Sequence, residues 1–384
     1  MIRLSIFAIL ICTTTFAKPL HIQWDNTYGA DKEERAYGIT ATRDGNIAFA
    51  GVTRSFTLGK EDIYVVKTDM NGKQLWEKRL GKERKDIAYA IDENNEGLLY
   101  VGGISKSYSK GGDYDVYITQ LDKKGKILWG KSLGGSGKDY AYALTATKDG
   151  GVVLAGKTKS FGHGHYDVYV IKLDKTGKVL WSKAFGGEKN EEAHGITQLS
   201  DGSLIIVGGT ESFGAGDFDF YIIKLSANGT KIWERYYGQK KADMFNCVSA
   251  TKDGGVTAAG YTRSYNSHKK DLTVMRCDKD GNRLWHKIIG KQNHEIANAI
   301  TSTDDDGVIV AGYTKSKGHG KEDIYILVFD KNGQLTFEKT YGGKKNDAAN
   351  AITRTKDGSY VIAGESETFG KESEYDAYIM KFSQ

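Results

Sequence analysis

Between residues 141 and 187 the alternation of apolar and polar positions changes rhythm repeatedly, and each change marks the edge of an element. Ala141-Tyr142-Ala143-Leu144-Thr145-Ala146-Thr147 alternates with a period of two and then meets Lys148-Asp149-Gly150-Gly151, which predicts a half-buried strand and a tight turn. Val152–Thr158 reads as a second strand, and the polar, glycine-rich stretch from Ser160-Phe161-Gly162 to Tyr166 as a longer loop. Asp167–Leu173 predicts a third strand, Asp174-Lys175-Thr176-Gly177 a turn, and Lys178–Lys183 a fourth strand carrying Trp181. Phe185-Gly186-Gly187 opens a polar loop into the next copy.

The same text returns along the chain. Tryptophan recurs at Trp24, Trp76, Trp129, Trp181, Trp233 and Trp285, with Phe337 in the seventh place, at spacings of 52, 53, 52, 52, 52 and 52. A period near 50 signals a propeller or a solenoid, and four short antiparallel strands per period signal a blade. The expected fold is all-β: a seven-bladed β-propeller with four antiparallel strands per blade. After Asp376–Phe382 the seventh copy has only three strands, whereas Leu20–Gly29 is an orphan fourth strand. Pairing the strand at 20–28 with the C-terminal blade satisfies both edges and closes the ring. A meander also sorts its connections: the Asp-Gly and Asp-x-x-Gly turns share one face, and the Ser-Phe-Gly and Gly-Gly loops share the other, expected to be the working face.

Composition changes the picture at the N-terminus. Arg3 precedes an apolar run from Leu4 to Cys12, and Thr15-Phe16-Ala17 offers small residues for cleavage, so residues 1–17 read as a signal peptide and 18–384 as the propeller. Localisation is therefore expected to be periplasmic or secreted. Loss of that segment leaves 53 basic and 49 acidic residues, a net charge of +4 spread through every repeat. This is a solvated surface rather than a nucleic-acid footprint, and no later apolar run is long enough to insert into a membrane. Cys247 and Cys277 fall at positions where other copies carry small or apolar residues, so both read as core fillers without a disulfide.

The segment Lys172-Leu173-Asp174-Lys175-Thr176-Gly177-Lys178-Val179-Leu180-Trp181, echoed at 120–129 and 224–233, resembles the tryptophan-docking repeat of quinoprotein-like propellers, including the periplasmic scaffold of outer-membrane protein assembly. The full period also resembles bacterial secreted β-propeller repeat proteins. Quinone dehydrogenases of the wider group imply eight blades, an active-site metal and often an adjacent cysteine pair. Seven blades and no adjacent cysteines depart from that pattern, so no cofactor is expected. The assembly scaffold implies a lipoprotein, whereas Ile11 stands before Cys12, where lipid attachment calls for a small residue.

Several constellations recur in all copies. An acidic residue follows each Trp or Phe by ten places, at Glu34, Asp86, Asp139, Glu191, Asp243, Glu295 and Asp347. Such a carboxylate ring could hold a cation, but sevenfold recurrence favours capping of loop N–H groups or pairing with neighbouring lysines. A second set, Asp62, Asp115, Asp167, Asp219, Asp271, Asp323 and Asp376, opens every third strand, with Ser55, Ser107, Ser160, Ser212, Ser264, Ser316 and Thr368 at the end of the preceding strand; these are expected to tie the loops shut within each blade. The Trp series and Phe337 are expected to pack between blades as structural residues.

Function belongs where the copies differ. Thirteen residues after each Trp or Phe stand Tyr37, Tyr89, Tyr142, His194, Asn246, Asn298 and Asn350, expected at the start of the innermost strand. Half aromatic and half amide, this ring at a channel mouth is a candidate site for a polar ligand or an extended peptide. No recurring Ser-His-Asp set supports hydrolysis. The expected function is a non-catalytic exported scaffold, acting as a monomer, that binds an envelope or extracellular protein, peptide or glycan through the loop-rich face. The alternative is a metal-dependent lyase or hydrolase at the channel mouth using His194, with His163 and His165 as further candidate ligands.

Overall fold

A computed structural model of the chain describes residues 20–383, apart from positions 56, 58, 266–268 and 371–373. The expected signal peptide lies outside the described residues. The described residues form seven four-stranded antiparallel sheets. Residues 34–80 make blade one, 86–133 blade two, 139–185 blade three, 191–237 blade four, 243–289 blade five and 295–341 blade six. Blade seven takes its first three strands from residues 347–383 and its fourth from His21–Tyr28.

That closing strand pairs with Asp376–Ser383 from His21 opposite Ser383 to Tyr28 opposite Ala377, so the ends of the described chain share one sheet. The Tyr378 hydroxyl donates to Asp25 at 2.6 Å, and the Tyr28 hydroxyl donates to the Gly72 carbonyl of blade one at 2.5 Å. The closing strand is thus bonded both within blade seven and to blade one.

The middle strands read as nearly unbroken apolar runs because neighbouring blades cover both their faces. Asp167–Leu173 and Leu204–Thr210 are buried at every position. The hydrophobic core lies between blades: Ala48, Ala50 and Val65 of blade one pack with Leu99, Val101 and Tyr117 of blade two, and comparable clusters occupy the other boundaries. Within blade three the second and third strands have the expected limits. The first begins earlier, at Asp139, whose N–H donates to the Tyr114 carbonyl at 2.8 Å. The fourth runs Val179–Phe185, because Phe185 still pairs with Val168.

Every blade carries two irregularities that the alternation did not reveal. In blade three the first-strand register slips between Ala141 and Ala143, and the fourth-strand register slips where Leu180 is skipped. The outer bulge sits on the exposed edge strand, where it works against pairing with another chain.

Candidate functional site in the central channel

The inner bulge builds the channel. The residue it leaves without a cross-strand partner is Tyr37, Tyr89, Tyr142, His194, Asn246, Asn298 or Asn350, in chain order. A bulged residue is released from the ladder and its side chain is re-aimed. All seven line one central cavity of about 210 Å³. They are the fourth residues of their strands rather than the first, so they sit at the waist of the strand and not at its start. The bulge also explains a sequence signal: the bulge geometry turns the Tyr140 carbonyl into the space beside Gly156, which a Cβ there would overlap. Gly51, Gly103, Gly208, Gly260, Gly312 and Gly364 make the same approach in the other blades.

The two halves of the ring behave differently. Asn246 donates through its Nδ2 to the Ala297 carbonyl at 2.8 Å, Asn298 to Ala349 at 3.0 Å and Asn350 to Ala36 at 3.1 Å. Each amide therefore ties its blade to the next, a latch that commits one of its two N–H donors. Tyr37, Tyr89, Tyr142 and His194 instead form an arc of rings with successive centroids 5.5, 5.4 and 4.9 Å apart, the last pair within 9° of parallel. Burial pushes the Tyr37 hydroxyl up to about 12, with Glu365 adding to the shift, and burial likewise raises Tyr89 and Tyr142, so these hydroxyls stay protonated.

A second tier, missed in the sequence reading, flanks the arc. Tyr140 lies 5.8 Å from Tyr142, 5.7 Å from Tyr114 and 6.4 Å from Tyr166. The Lys157 ammonium stands 4.8 Å from the Tyr166 ring and 5.4 Å from the Tyr140 ring. It also pairs with Glu192 at 2.9 Å, and Glu192 reaches His194 at 3.2 Å. Burial alone would raise the Glu192 carboxyl, but the His194 hydrogen bond and the Lys157 charge outweigh it and hold the group at about 2. The pattern Asp139-Tyr140-Ala141-Tyr142 was the available signal, since the bulge puts tyrosines two apart on neighbouring tiers.

The first carboxylate ring is buried and committed to its loops. Glu191 accepts from the Thr210 hydroxyl at 2.8 Å, from the Ser212 N–H at 3.0 Å and from the Gly187 N–H at 2.7 Å. Asp347, Asp139 and Glu34 accept in the same way. Of the two expected roles, capping of loop N–H groups is the one these bonds show, and Lys85 pairs with Glu61 instead. In the second set, Asp167 accepts from the His163 and Gly164 N–H groups, closing its own blade's loop. The serines reach further than expected. The N–H of Lys189 in the linking loop donates to Ser212 at 3.0 Å, and the N–H of Gly137 donates to Ser160 at 2.9 Å, so each serine fastens the crossover from the preceding blade.

The Trp rings are half-buried rather than enclosed. Their indole N–H groups donate to the turn of the following blade: Trp24 to Met70 at 3.0 Å, Trp76 to Lys123 at 3.1 Å and Trp285 to Lys331 at 3.0 Å. The corresponding turn for Phe337 would join the third and fourth strands of blade seven, which come from opposite ends of the described chain.

Buried cations form a further series absent from the sequence reading. Lys67, Lys172 and Lys381 hold the turn carboxylates Asp44, Asp149 and Asp357 at 2.6 to 2.8 Å, and Arg276 reaches both Asp253 and Asp306. Burial would raise the Asp44 carboxyl, but bonds from Lys67 and Thr42 hold it at about 2. Cys247 and Cys277 are free thiols that burial pushes far up in pKa. Among the described residues no group of three or more His, Cys, Asp or Glu is placed to hold a metal ion, and no helix is long and apolar enough to cross a membrane.

Against known proteins, the model of the outer membrane protein assembly factor BamB family matches residues 22–235 and, overlapping, 114–316. The chain belongs to the BamB family. The solved BamB of Moraxella catarrhalis superposes over 95% of this chain and 100% of its own, with a TM-score of 0.52 at 13% identity, a likeness of fold. An uncharacterized protein of Aquifex aeolicus is 24% identical over 72% of this chain and 74% of its own length. The regulatory protein FlaEY of Caulobacter vibrioides is 23% identical over 54% of this chain, and the match spans only 27% of that longer protein. As a BamB-like propeller, the chain has a scaffold fold.

Proposed function

We propose that the chain is an exported, non-catalytic scaffold of the cell envelope that binds a protein or peptide partner through its loop-rich face and the adjoining channel. One observation carries the reading: a frame repeated in seven blades is interrupted on one side only, by the arc Tyr37, Tyr89, Tyr142 and His194. The amide half is spent on hydrogen-bonded latches between blades, whereas the aromatic half meets its neighbours through ring faces and edges. Tyrosine supplies large contact area at low conformational cost, which suits recognition. Membership of a family described as outer-membrane protein assembly factors favours a polypeptide over a glycan and the periplasm over the exterior.

Deletion of the gene in its native host is expected to lower the amount of folded outer-membrane proteins. Wild-type chain restores it, and the Tyr37→Ala/Tyr89→Ala/Tyr142→Ala chain does not. Unchanged levels on deletion, or full rescue by the variant, would remove the reading.

A further inference from the structure

We propose that a groove on the loop-rich face, between blades one and two, docks an acidic segment of the partner polypeptide; this rests on the protein-binding reading above and names the chemistry of what is bound. Two cavities meet there. One of about 530 Å³ is lined by Lys60, Glu83, Arg84, Lys85, Lys106 and Tyr114, and one of about 420 Å³ by Lys82, Glu83, Arg84 and Ser107. They share Glu83 and Arg84 and so form a single groove, within the size range of ligand sites.

Its charge is one-sided. Five cations face it against Glu83. Glu61, beneath it, is already matched by Arg54 at 2.6 Å and Lys85 at 2.8 Å. Among the described residues, Lys60, Lys82, Arg84 and Lys106 have no carboxylate within ion-pair distance. The frame does not require this charge: the linking loop Gly81-Lys82-Glu83-Arg84-Lys85 carries three cations, whereas its counterpart Gly134-Gly135-Ser136-Gly137-Lys138 holds the same backbone position with one.

The groove is also held in place before anything binds. The Asp86 N–H donates to the Glu61 carbonyl at 2.9 Å and the Lys106 N–H to the Lys85 carbonyl at 2.8 Å, so the segments at 61, 85 and 106 form a short ladder under it. The Arg84 N–H bonds Ser107 at 3.2 Å, and its guanidinium bonds the Gly112 carbonyl at 3.1 Å. Cations on a fixed floor bind with less ordering cost than cations on mobile loops. Tyr114, 5.3 Å from the Lys106 ammonium, continues through Tyr140 toward the channel arc. A segment with carboxylates at the groove and an aromatic side chain at Tyr114 would match both features.

Fluorescence anisotropy on the chain beginning at Lys18, with a labelled peptide of repeating Glu-Asp-Tyr, tests this. Binding is expected for that peptide and not for repeating Gln-Asn-Tyr, with affinity falling as salt rises. Lys60→Glu/Arg84→Glu/Lys106→Glu is expected to weaken it by about tenfold or more, and the milder Lys60→Gln/Arg84→Gln/Lys106→Gln by less, with unchanged melting. Lys123→Glu/Lys124→Glu/Lys126→Glu, on the opposite face, is expected to change it by less than about twofold. Unchanged affinity in both groove variants, an equal loss in the opposite-face variant, or displacement by oligogalacturonate at equal charge would each overturn the proposal. Failure of the protein-binding reading shows instead in outer-membrane protein levels, so the two are scored separately.

Discussion

The indole of Trp129 covers Gly177, the turn glycine of the following blade, so closely that a Cβ at Gly177 would lie 2.9 Å from the ring atom Cδ2. Gly177 also holds a φ of 79°, as its equivalents Gly72, Gly125, Gly229, Gly281 and Gly333 hold values from 77° to 83°. Two demands, a left-handed turn and no side chain, therefore meet in one residue.

Gly202 separates those demands, since its φ is 84° but nothing lies within 4 Å of a Cβ there. Gly202→Ala is expected to cost about 1 kcal/mol from the backbone term alone. Gly177→Ala is expected to cost about 2–4 kcal/mol, because the indole must also move. Paired urea melts check the difference.

Phe337 occupies a Trp position facing blade seven, whose third and fourth strands are not joined by a turn among the described residues. Phe337→Trp is expected to leave stability within about 0.5 kcal/mol of wild type, whereas Trp24→Phe loses the bond to the Met70 carbonyl and about 1–2 kcal/mol. Equal effects of the two exchanges in chemical denaturation would contradict the docking account.

His286 is expected to make stability fall in mild acid. Its ring bonds the Thr273 hydroxyl at 2.6 Å and sits edge-on to Tyr265, and burial, then the Arg283 charge, lowers its pKa from 6.5 to about 4. The unfolded chain binds the proton first as pH drops, so the folded state loses stability between pH 6.5 and 4, by up to about 3 kcal/mol. His286→Gln removes that slope. Melting temperatures of both proteins at pH 7.5 and 5 measure it, and parallel curves would refute it.

Lys172 is buried beneath Asp149 and Thr147. Lys172→Met is expected to cost less than about 1.5 kcal/mol, because blade six places Val328 at the corresponding position. Asp149→Ala leaves the buried ammonium with the Thr147 hydroxyl but no carboxylate and is expected to cost about 2–3 kcal/mol, read as a shift of the denaturant midpoint.

Removal of residues 18–28 takes away every bond to Asp376–Ser383 along its outer edge. The truncated chain is expected to melt at a much lower temperature and to associate through the bared edge in size-exclusion chromatography. A truncated chain as stable and monodisperse as the full one would contradict closure of the ring by this strand.

The blade was legible because strand periodicity and turn residues are local: Val152–Thr158 and Asp167–Leu173 needed only the alternation and the flanking glycines. The bulges were not, since whether Tyr142 pairs or protrudes depends on the register of a neighbouring strand. The seven ring residues were found by their variation, but their division into latch and arc required the distance from each amide to the next blade's carbonyl. Lys157 and Glu192, 35 residues apart on consecutive blades, meet only when those two blades pack together.

The pairing of His21 with Ser383 gives the molecule an order of events. The segment made early must wait, unpartnered, until the last strand of the described chain has been synthesised, and bringing them together carries the largest loop-closure cost among the described strands. A chain that lacks the last strand thus cannot complete the fold, so ring closure is the final step of its folding.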